Sequence, residues 1–469
     1  MQIQPLSLDS LRQKMVQDHL YERIYGSYPE VIEEKKKLVD SVLQTYLSTF
    51  GKPKGSLAVV HVPGRLEFLG KHTDYAGGPV LNMAASRGFI AISGKNDSRV
   101  VALQENSRAW APWIFNLESF TRKDIEFGDR HWHTYPERTL HRVARNFGVS
   151  SLTGACVAFG SDLPPASGMS SSSSLMIMTL LSLLPHIPLE EDPRFESLGL
   201  STDPLALAQY LACCENGQSC VLGNEVLEGS TGVGTFGGSQ DQTAIFHAKQ
   251  DMLSIHRFCP TRWVLDVPFP RDLALIAGFS GFRAEKTQQA KNAFNLLSAK
   301  AKAVVEAYNE LAGTHYLWAA DLLELEDVEG LLAGPLPSRY RDMGLLDRYK
   351  AFYEECQVLI PHATKALRSQ DFEALGQTVN RSHDTSRRYL NNISEEIEIL
   401  VQVARSSGAL GASGFGAGFG GSAYALVPKS RTRPFLRAWR DGYLSRVSPP
   451  HTPVFFPCYP VSHADPLFA

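Results

Sequence analysis

The chain has 469 residues, 43% hydrophobic and 20% charged, an ordinary globular composition that excludes wholesale disorder. A net charge of −3 supplies no basic field to hold nucleic acid or an anionic membrane, so neither is expected as a partner. The 37 glycines and 27 prolines follow no period, which excludes a collagen-like repeat, and the length favours two or three domains or one two-lobed unit.

No basic segment followed by an apolar stretch opens the chain, so no secretory signal is expected. The segment 32–50 has helical amphipathicity and is closed by Gly51. The β-branched run 57–62 predicts a strand stopped by Pro63-Gly64, and 88–93 and 99–103 predict two more. A helix is expected over 135–147 and a strand over 153–159, running into Asp162-Leu163-Pro164-Pro165. A Ser-rich loop then leads into the apolar run 175–184, which is too short to cross a bilayer and reads as a buried helix closed by Pro185. Another helix is expected over 204–215, followed by a long loop over 217–240. The second half offers a strand at 273–278, helices at 286–310, 349–370, 372–391 and 394–407, a glycine-dense turn, and a strand at 422–427. Strands and helices mix without strict alternation, which favours an α+β fold. The expected division is into residues 1–245 and 246–469. Seven cysteines without a CxxC pair point to a reduced, cytoplasmic chain with structural thiols and no zinc site.

Three glycine-rich segments could hold phosphate. Gly64 to Thr73, GRLEFLGKHT, imitates a Walker A loop but places five residues between its glycines and His72 where Ser or Thr is needed, so that reading fails. Gly232–Gly237 and Gly416–Gly421 both satisfy GxGxxG; the second follows a helix and precedes a strand, the reverse of a dinucleotide site. The best chemistry lies in Pro164 to Ser174, PPASGMSSSSS, where small residues enter a helix whose free N–H groups favour an anion. The alternative is a flexible Ser-rich linker, which the immediate start of an apolar helix disfavours.

These segments agree in type and order with one known pattern. PGRLEFLGKHTDYAGG (63–78) resembles the galactokinase signature GRVNLIGEHTDYNxG, PPASGMSSSSSL (164–175) resembles PxGxGLSSSAS, and GASGFGAGFGGSAYAL (411–426) resembles GARMTGGGFGGCxxxL. Supporting likeness lies in His131-Trp132-His133-Thr134-Tyr135 (WxNY) and across 371–401, so the resemblance to the galactokinase branch of the GHMP small-molecule kinases spans roughly 55–430. It implies a two-domain GHMP kinase fold: an amino-terminal domain like domain 2 of ribosomal protein S5 and a ferredoxin-like carboxyl-terminal domain, with the site in the cleft. It further implies a cytoplasmic monomer that uses ATP and Mg2+ to phosphorylate the C1 hydroxyl of galactose or a close relative. Alternatives are a uronate or N-acetylhexosamine kinase and a non-catalytic sugar and ATP sensor.

The resemblance also implies roles. Asp241, in Gly238-Ser239-Gln240-Asp241-Gln242 (GxxDQ), would take the C1 hydroxyl proton, with Arg65 beside it and the transferring phosphate. Without that context Asp241 reads as a capping or solvated residue. Gly168, Met169, Ser170, Ser171, Ser172 and Ser173 would bind ATP, and Ser172 and Glu215 (of Cys213-Cys214-Glu215-Asn216, like AEN) would hold magnesium. Glu215 and Asp241 stand 26 positions apart, more than the pattern has, so an insertion over 217–237 adjoins the site as a lid or a longer surface loop. His72, Asp74 and Gly238 would meet the sugar. Lys71 replaces the Glu of GEHTD, which the family places near the C6 hydroxyl. Either the substrate carries a carboxylate there, as in galacturonate, or Lys71 swings out to solvent or pairs with a protein acid, for which Glu67 is the candidate. The sugar-contacting Tyr of SxYNxRR has no clear match; Phe294-Asn295 is a shifted echo.

Overall fold

The computed structural model describes residues 3–107, 111–121, 132–148, 152–187, 189, 192–284, 288–416, 418 and 420–468. His131, Ala417 and Phe419, which enter the motif comparisons above, and residues 286 and 287 of the expected helix 286–310 lie outside them.

The apolar run at 57–62 does not stop at Pro63-Gly64. It continues as strand β1, Leu57–Leu69, antiparallel to β2, Pro79–Asn96. With β3 (Val100–Glu105), β4 (Trp113–Asn116) and β5 (Gly154–Ser161) they follow the path β1-β2-β5-β3-β4, in which only the β3–β5 pairing is parallel. Every residue of β1 is buried, because both faces of this sheet are covered, and so the strand reads as continuous rather than alternating hydrophobicity. The helix Pro29–Phe50 covers one face through Val39, Val42, Leu43 and Tyr46; proline suits its first turn and Gly51, at φ +78°, ends it. The helix Ser171–Leu183 covers the other. It is apolar on all sides and fully enclosed from Ser173 onward, and each of its buried Leu, Ile and Met side chains contributes roughly 1.5–3 kcal/mol.

The expected loop after the helix Pro204–Asn216 contains a short hairpin, β6 (Cys220–Leu222) with β7 (Glu225–Leu227). A second hairpin, β8 (Met252–Arg257) with β9 (Arg262–Pro268), then docks on β2. The remaining sheet has the order β11-β12-β10-β13, all antiparallel, from β10 (Leu273–Phe279), β11 (Gly411–Gly414), β12 (Ser422–Pro428) and β13 (Val454–Pro457). Helices Glu395–Ser406 and Thr432–Leu444 cover it through Leu400, Val401, Phe435 and Trp439. This is the ferredoxin-like arrangement, and the chain as a whole is α+β, as expected. Sheet membership changes between Pro268 and Leu273, later than the expected 245/246 division, because β8–β9 belongs with β2. The carboxyl-terminal strands β14 (Pro460–Val461) and β15 (Asp465–Pro466) then return to the first sheet, on β2 and β1.

Candidate active site

A cavity of about 850 Å³ is walled by β1 and the turn after it, the start of the helix Ser171–Leu183, Glu215, the segment around Gly238 and Asp241, and Arg283, Phe294, Gly416 and Gly420 from later in the chain. Two register breaks interrupt β1 here, between Pro63 and Arg65 and between Glu67 and Leu69. Such irregularities re-aim side chains, and Arg65 and Glu67 both reach the cavity. Gly64 is required by packing: a Cβ there would lie 2.8 Å from the Met169 carbonyl oxygen and 2.9 Å from Leu163. That closeness lets the Arg65 backbone N–H donate to Met169 O at 3.2 Å, tying strand to serine loop.

Arg65 is the hub. Its Nε donates to Asp241 Oδ1 at 2.7 Å and its Nη1 to Gly168 O at 2.9 Å, so one guanidinium joins the expected base to the phosphate-loop backbone. The Arg65 side chain is 6% exposed and that of Asp241 28%, which leaves the carboxylate open to the cavity.

The turn after β1 carries His72, Asp74 and Tyr75. His72 takes φ +58°, and its carbonyl accepts from Arg348 Nη2 at 2.6 Å, a buried cation that fixes this strained residue. The Asp74 carboxylate presses on the opposite segment so closely that a Cβ on Gly238 would lie 2.3 Å from its Oδ2. Asp74 Oδ1 is buried without a hydrogen-bond partner, and burial, with the nearby Asp241, raises its pKa to about 6. Burial likewise raises Glu67 to about 7 against the opposing pull of Arg65 and Lys71. Tyr75 and Phe294 close this end, Phe294 lying 5.6 Å from the His72 ring. The wall beside Phe89 and Phe159 is rich in aromatic and aliphatic side chains, with Trp132, Tyr135 and Leu163, and also carries Glu105 and Ser161, the strand partners of Phe159 and Phe89.

Gly168, at φ +77°, and Ser170, at φ +59°, turn the chain into the helix at Ser171. Gly168, Ser170, Ser171, Ser172 and Ser173 line the cavity, and Glu215 faces them. The serine that meets Glu215 is Ser173, whose Oγ donates to Oε2 at 2.7 Å, while Gln242 Nε2 donates to the same oxygen at 2.7 Å. Arg65, Asp241, His72, Asp74, Gly238, the serines and Glu215 are thus gathered around one space.

Two expected residues stand apart. Met169 is buried in the core and absent from the cavity wall; only its carbonyl takes part, through Arg65. Lys71 needs a larger correction. It is 2% exposed and turned away from the cavity, where its ammonium donates to Ser382 Oγ at 2.5 Å. That hydroxyl in turn donates to Glu355, whose Oε2 accepts the Gly70 N–H at 2.8 Å. The protein acid that draws Lys71 is therefore Glu355, through Ser382, rather than Glu67, and no ammonium is left in the cavity for a substrate carboxylate at this position.

The insertion packs back onto the site. Val233 N–H donates to Glu215 O at 2.8 Å, the Asn216 amide brackets Gly237, and the Phe236 N–H donates to Asn295 Oδ1 at 3.0 Å. Sequence reasoning missed Tyr75 and Gln242, and it reached Glu67 only as a partner for Lys71. The Phe294-Asn295 echo was the available signal for the aromatic wall.

Comparison with known proteins shows what the chain is similar to. The galactokinase galactose-binding signature matches residues 44–95, and the GHMP kinase carboxyl-terminal domain matches residues 363–444. A galactokinase of Enterococcus faecalis is 25% identical over 409 residues, covering 87% of this chain and 94% of that protein. One from Thermococcus kodakarensis is 29% identical over 371 residues, covering 78% and 89%. Among solved structures, the Lactococcus lactis galactokinase complexed with galactose superposes with a TM-score of 0.72 at 22% identity, covering 91% of this chain and 99% of that one. The Methanococcus jannaschii mevalonate kinase shares the fold at a TM-score of 0.55 and 16% identity, covering 87% and 100%.

Proposed function

The chain is a galactokinase-like member of the GHMP small-molecule kinase superfamily, and from that premise we propose that it transfers the γ-phosphoryl group of ATP to the C1 hydroxyl of galactose. The observation that carries the reading is the Arg65–Asp241 pair, set between the serine-helix N-terminus and the carboxylate of Asp74. Asp241 accepts the C1 hydroxyl proton as the sugar oxygen bonds to the γ-phosphorus. The bond from that phosphorus to the β,γ-bridging oxygen breaks, and ADP leaves. Arg65 holds Asp241 in one orientation and places positive charge where phosphoryl oxygens gather; positioning and charge stabilisation of this kind supply most of the catalysis in phosphoryl transfer. Asp74 and His72 orient the sugar, Gly238 gives Asp74 the room it needs, and the backbone from Gly168 to Ser173 receives the phosphates. The wall with Phe89, Trp132 and Tyr135 suits the nucleotide base.

Ser172 and Glu215 offer only oxygen donors beside that phosphate cradle, a set that fits magnesium and leaves it several waters. Magnesium bound there would neutralise phosphate charge. With Lys71 committed to Ser382, the reason to favour a uronate falls away, and the open Asp241 carboxylate favours an enzyme over a sensor.

The test is ADP release from ATP and magnesium over a panel of free sugars: galactose, glucose, N-acetylhexosamines, arabinose, galacturonate and glucuronate. Turnover is expected with galactose and should fall by roughly 10²–10⁴-fold in Asp241→Asn. Measurable sugar binding without ADP release from any member of the panel would overturn the reading.

A further inference from the structure

We propose that Glu67 is a second sugar-binding carboxylate of this chain, accepting a hydrogen bond from a hydroxyl of the same polyol that Asp74 holds. The inference rests on the sugar-kinase reading and deepens it. Glu67 is 1% exposed and lines the cavity with Arg65, His72 and Asp74. Its Oε1 is buried and has no hydrogen-bond partner. The Gln240 side chain bonds the Glu67 carboxylate but leaves Oε1 unpaired, and the two nearby cations are engaged elsewhere, Arg65 with Asp241 and Gly168 O, and Lys71 with Ser382. Asp74 Oδ1, on the same wall, is the other orphaned carboxylate oxygen.

A buried acceptor left unpaired costs about 1–3 kcal/mol, and more when it carries charge, so two of them on one wall imply an occupant that pairs both. The occupant's chemistry follows from the pair. An apolar group would leave both oxygens unsatisfied, and an anion would be repelled by them. A neutral ligand with at least two hydroxyl donors satisfies both. Once ionised, above about pH 7, Glu67 only accepts, whereas the Asn of the galactokinase motif also donates, so Glu at this position then selects a hydroxyl oriented as donor. From Arg65 to Glu67 the strand pairs with β2 in regular register, so the period-two alternation of β1 puts both of these side chains on the face that meets the cavity.

The test compares the wild-type chain with Glu67→Gln and with Glu67→Asp, which keeps the charge but withdraws the oxygen by one methylene. Sugar KM, ATP KM and calorimetric affinity are measured for galactose and for each monodeoxygalactose. Both variants should raise the galactose KM roughly tenfold or more while leaving the ATP KM within about twofold, and the penalty should vanish for one monodeoxy sugar, the one lacking the contacted hydroxyl. Unchanged galactose affinity, or an equal penalty for galactose and every monodeoxy sugar, overturns the proposal. A wild-type chain that binds galactose but releases no ADP overturns the kinase reading alone, and the calorimetric comparison still decides the role of Glu67.

Discussion

Lys71 and Glu67 have exchanged the duties their neighbours in sequence suggest. Lys71, where the related motif carries an acid, is enclosed with Ser382 and Glu355, while Glu67 stands in the cavity. A buried ammonium keeps its charge only while its acceptors remain, and removing one partner of such a set costs about 3–5 kcal/mol. Lys71→Glu, which sets a second carboxylate against Glu355, should therefore lower the melting temperature sharply. Lys71→Met, of similar volume, strips Glu355 of its cation without adding a second carboxylate, so it should lower the melting temperature less than Lys71→Glu and leave the order of preference among sugars unchanged; a shift of preference toward neutral over acidic sugars in Lys71→Met would restore a substrate-facing lysine. Glu67 carries a different signature. Burial raises it to about 7, and Asp74 to about 6, above their ordinary carboxylate values. The folded chain thus retains protons that the unfolded chain has released, and protonation stabilises the fold. That stability is fully present below about pH 4 and is lost as pH rises through 6 and 7, on the order of 3 kcal/mol for Glu67. In the ligand-free protein, thermal melts from pH 5 to pH 8 should show a smaller decline for Glu67→Gln than for wild type, with the variant the more stable at pH 8. Parallel declines would place Glu67 in contact with water.

At the scale of elements, the site depends on departures from regular structure. Two breaks in β1 flank the stretch that carries Arg65 and Glu67, and a π-helical turn, Glu354–Leu359, within a helical stretch from Leu345 to Ser369 carries Glu355 to the Gly70 N–H. Close approach is equally demanding at Gly238, where an added Cβ would meet Asp74 Oδ2 at 2.3 Å. Gly238→Ala should displace the Asp74 carboxylate, raising sugar KM by roughly tenfold or more with a smaller change in ATP KM; equal losses for both substrates would mean that the whole segment had shifted. These features also mark what could be read in advance. The glycines, the serine run and Asp241 were legible because motif chemistry requires those residue types in that order. The apolar helix at 175–184 was legible because it is hydrophobic on every side. The course of Lys71 was not, since its partners Ser382 and Glu355 lie more than 280 positions away and nothing local signals them. Nor was the β6–β7 hairpin, which lies within a stretch whose glycines and serines read as loop.

Over the whole molecule, the two sheets share the carboxyl-terminal segment. β13 adds to β10 in the ferredoxin-like sheet, and within a few residues β14 and β15 pair with β2 and β1 in the other. Between them Cys458 N–H donates to Leu275 O at 2.8 Å, and beyond them Leu467 and Phe468 enter the core beneath the helix Pro29–Phe50. Residues 454–468 therefore close an edge of each sheet and help fill one of the two layers around β1, although none of them lines the cavity. A piece ending at residue 245 would lack β8, β9, β14 and β15, which pair directly or through one another with β1 and β2. We expect a single cooperative unfolding transition for the full chain, reported alike by tryptophan fluorescence and far-ultraviolet circular dichroism. Removing residues 454–469 should cost well over the 5 kcal/mol that separates a marginal domain from its unfolded state, since it strips paired strands and several buried side chains at once, Phe456, Val461, Leu467 and Phe468 among them. The truncated chain should be insoluble or expanded. A truncated chain that stays folded and still binds galactose would mean that the first sheet keeps the Arg65–Asp241 wall without its returning strands.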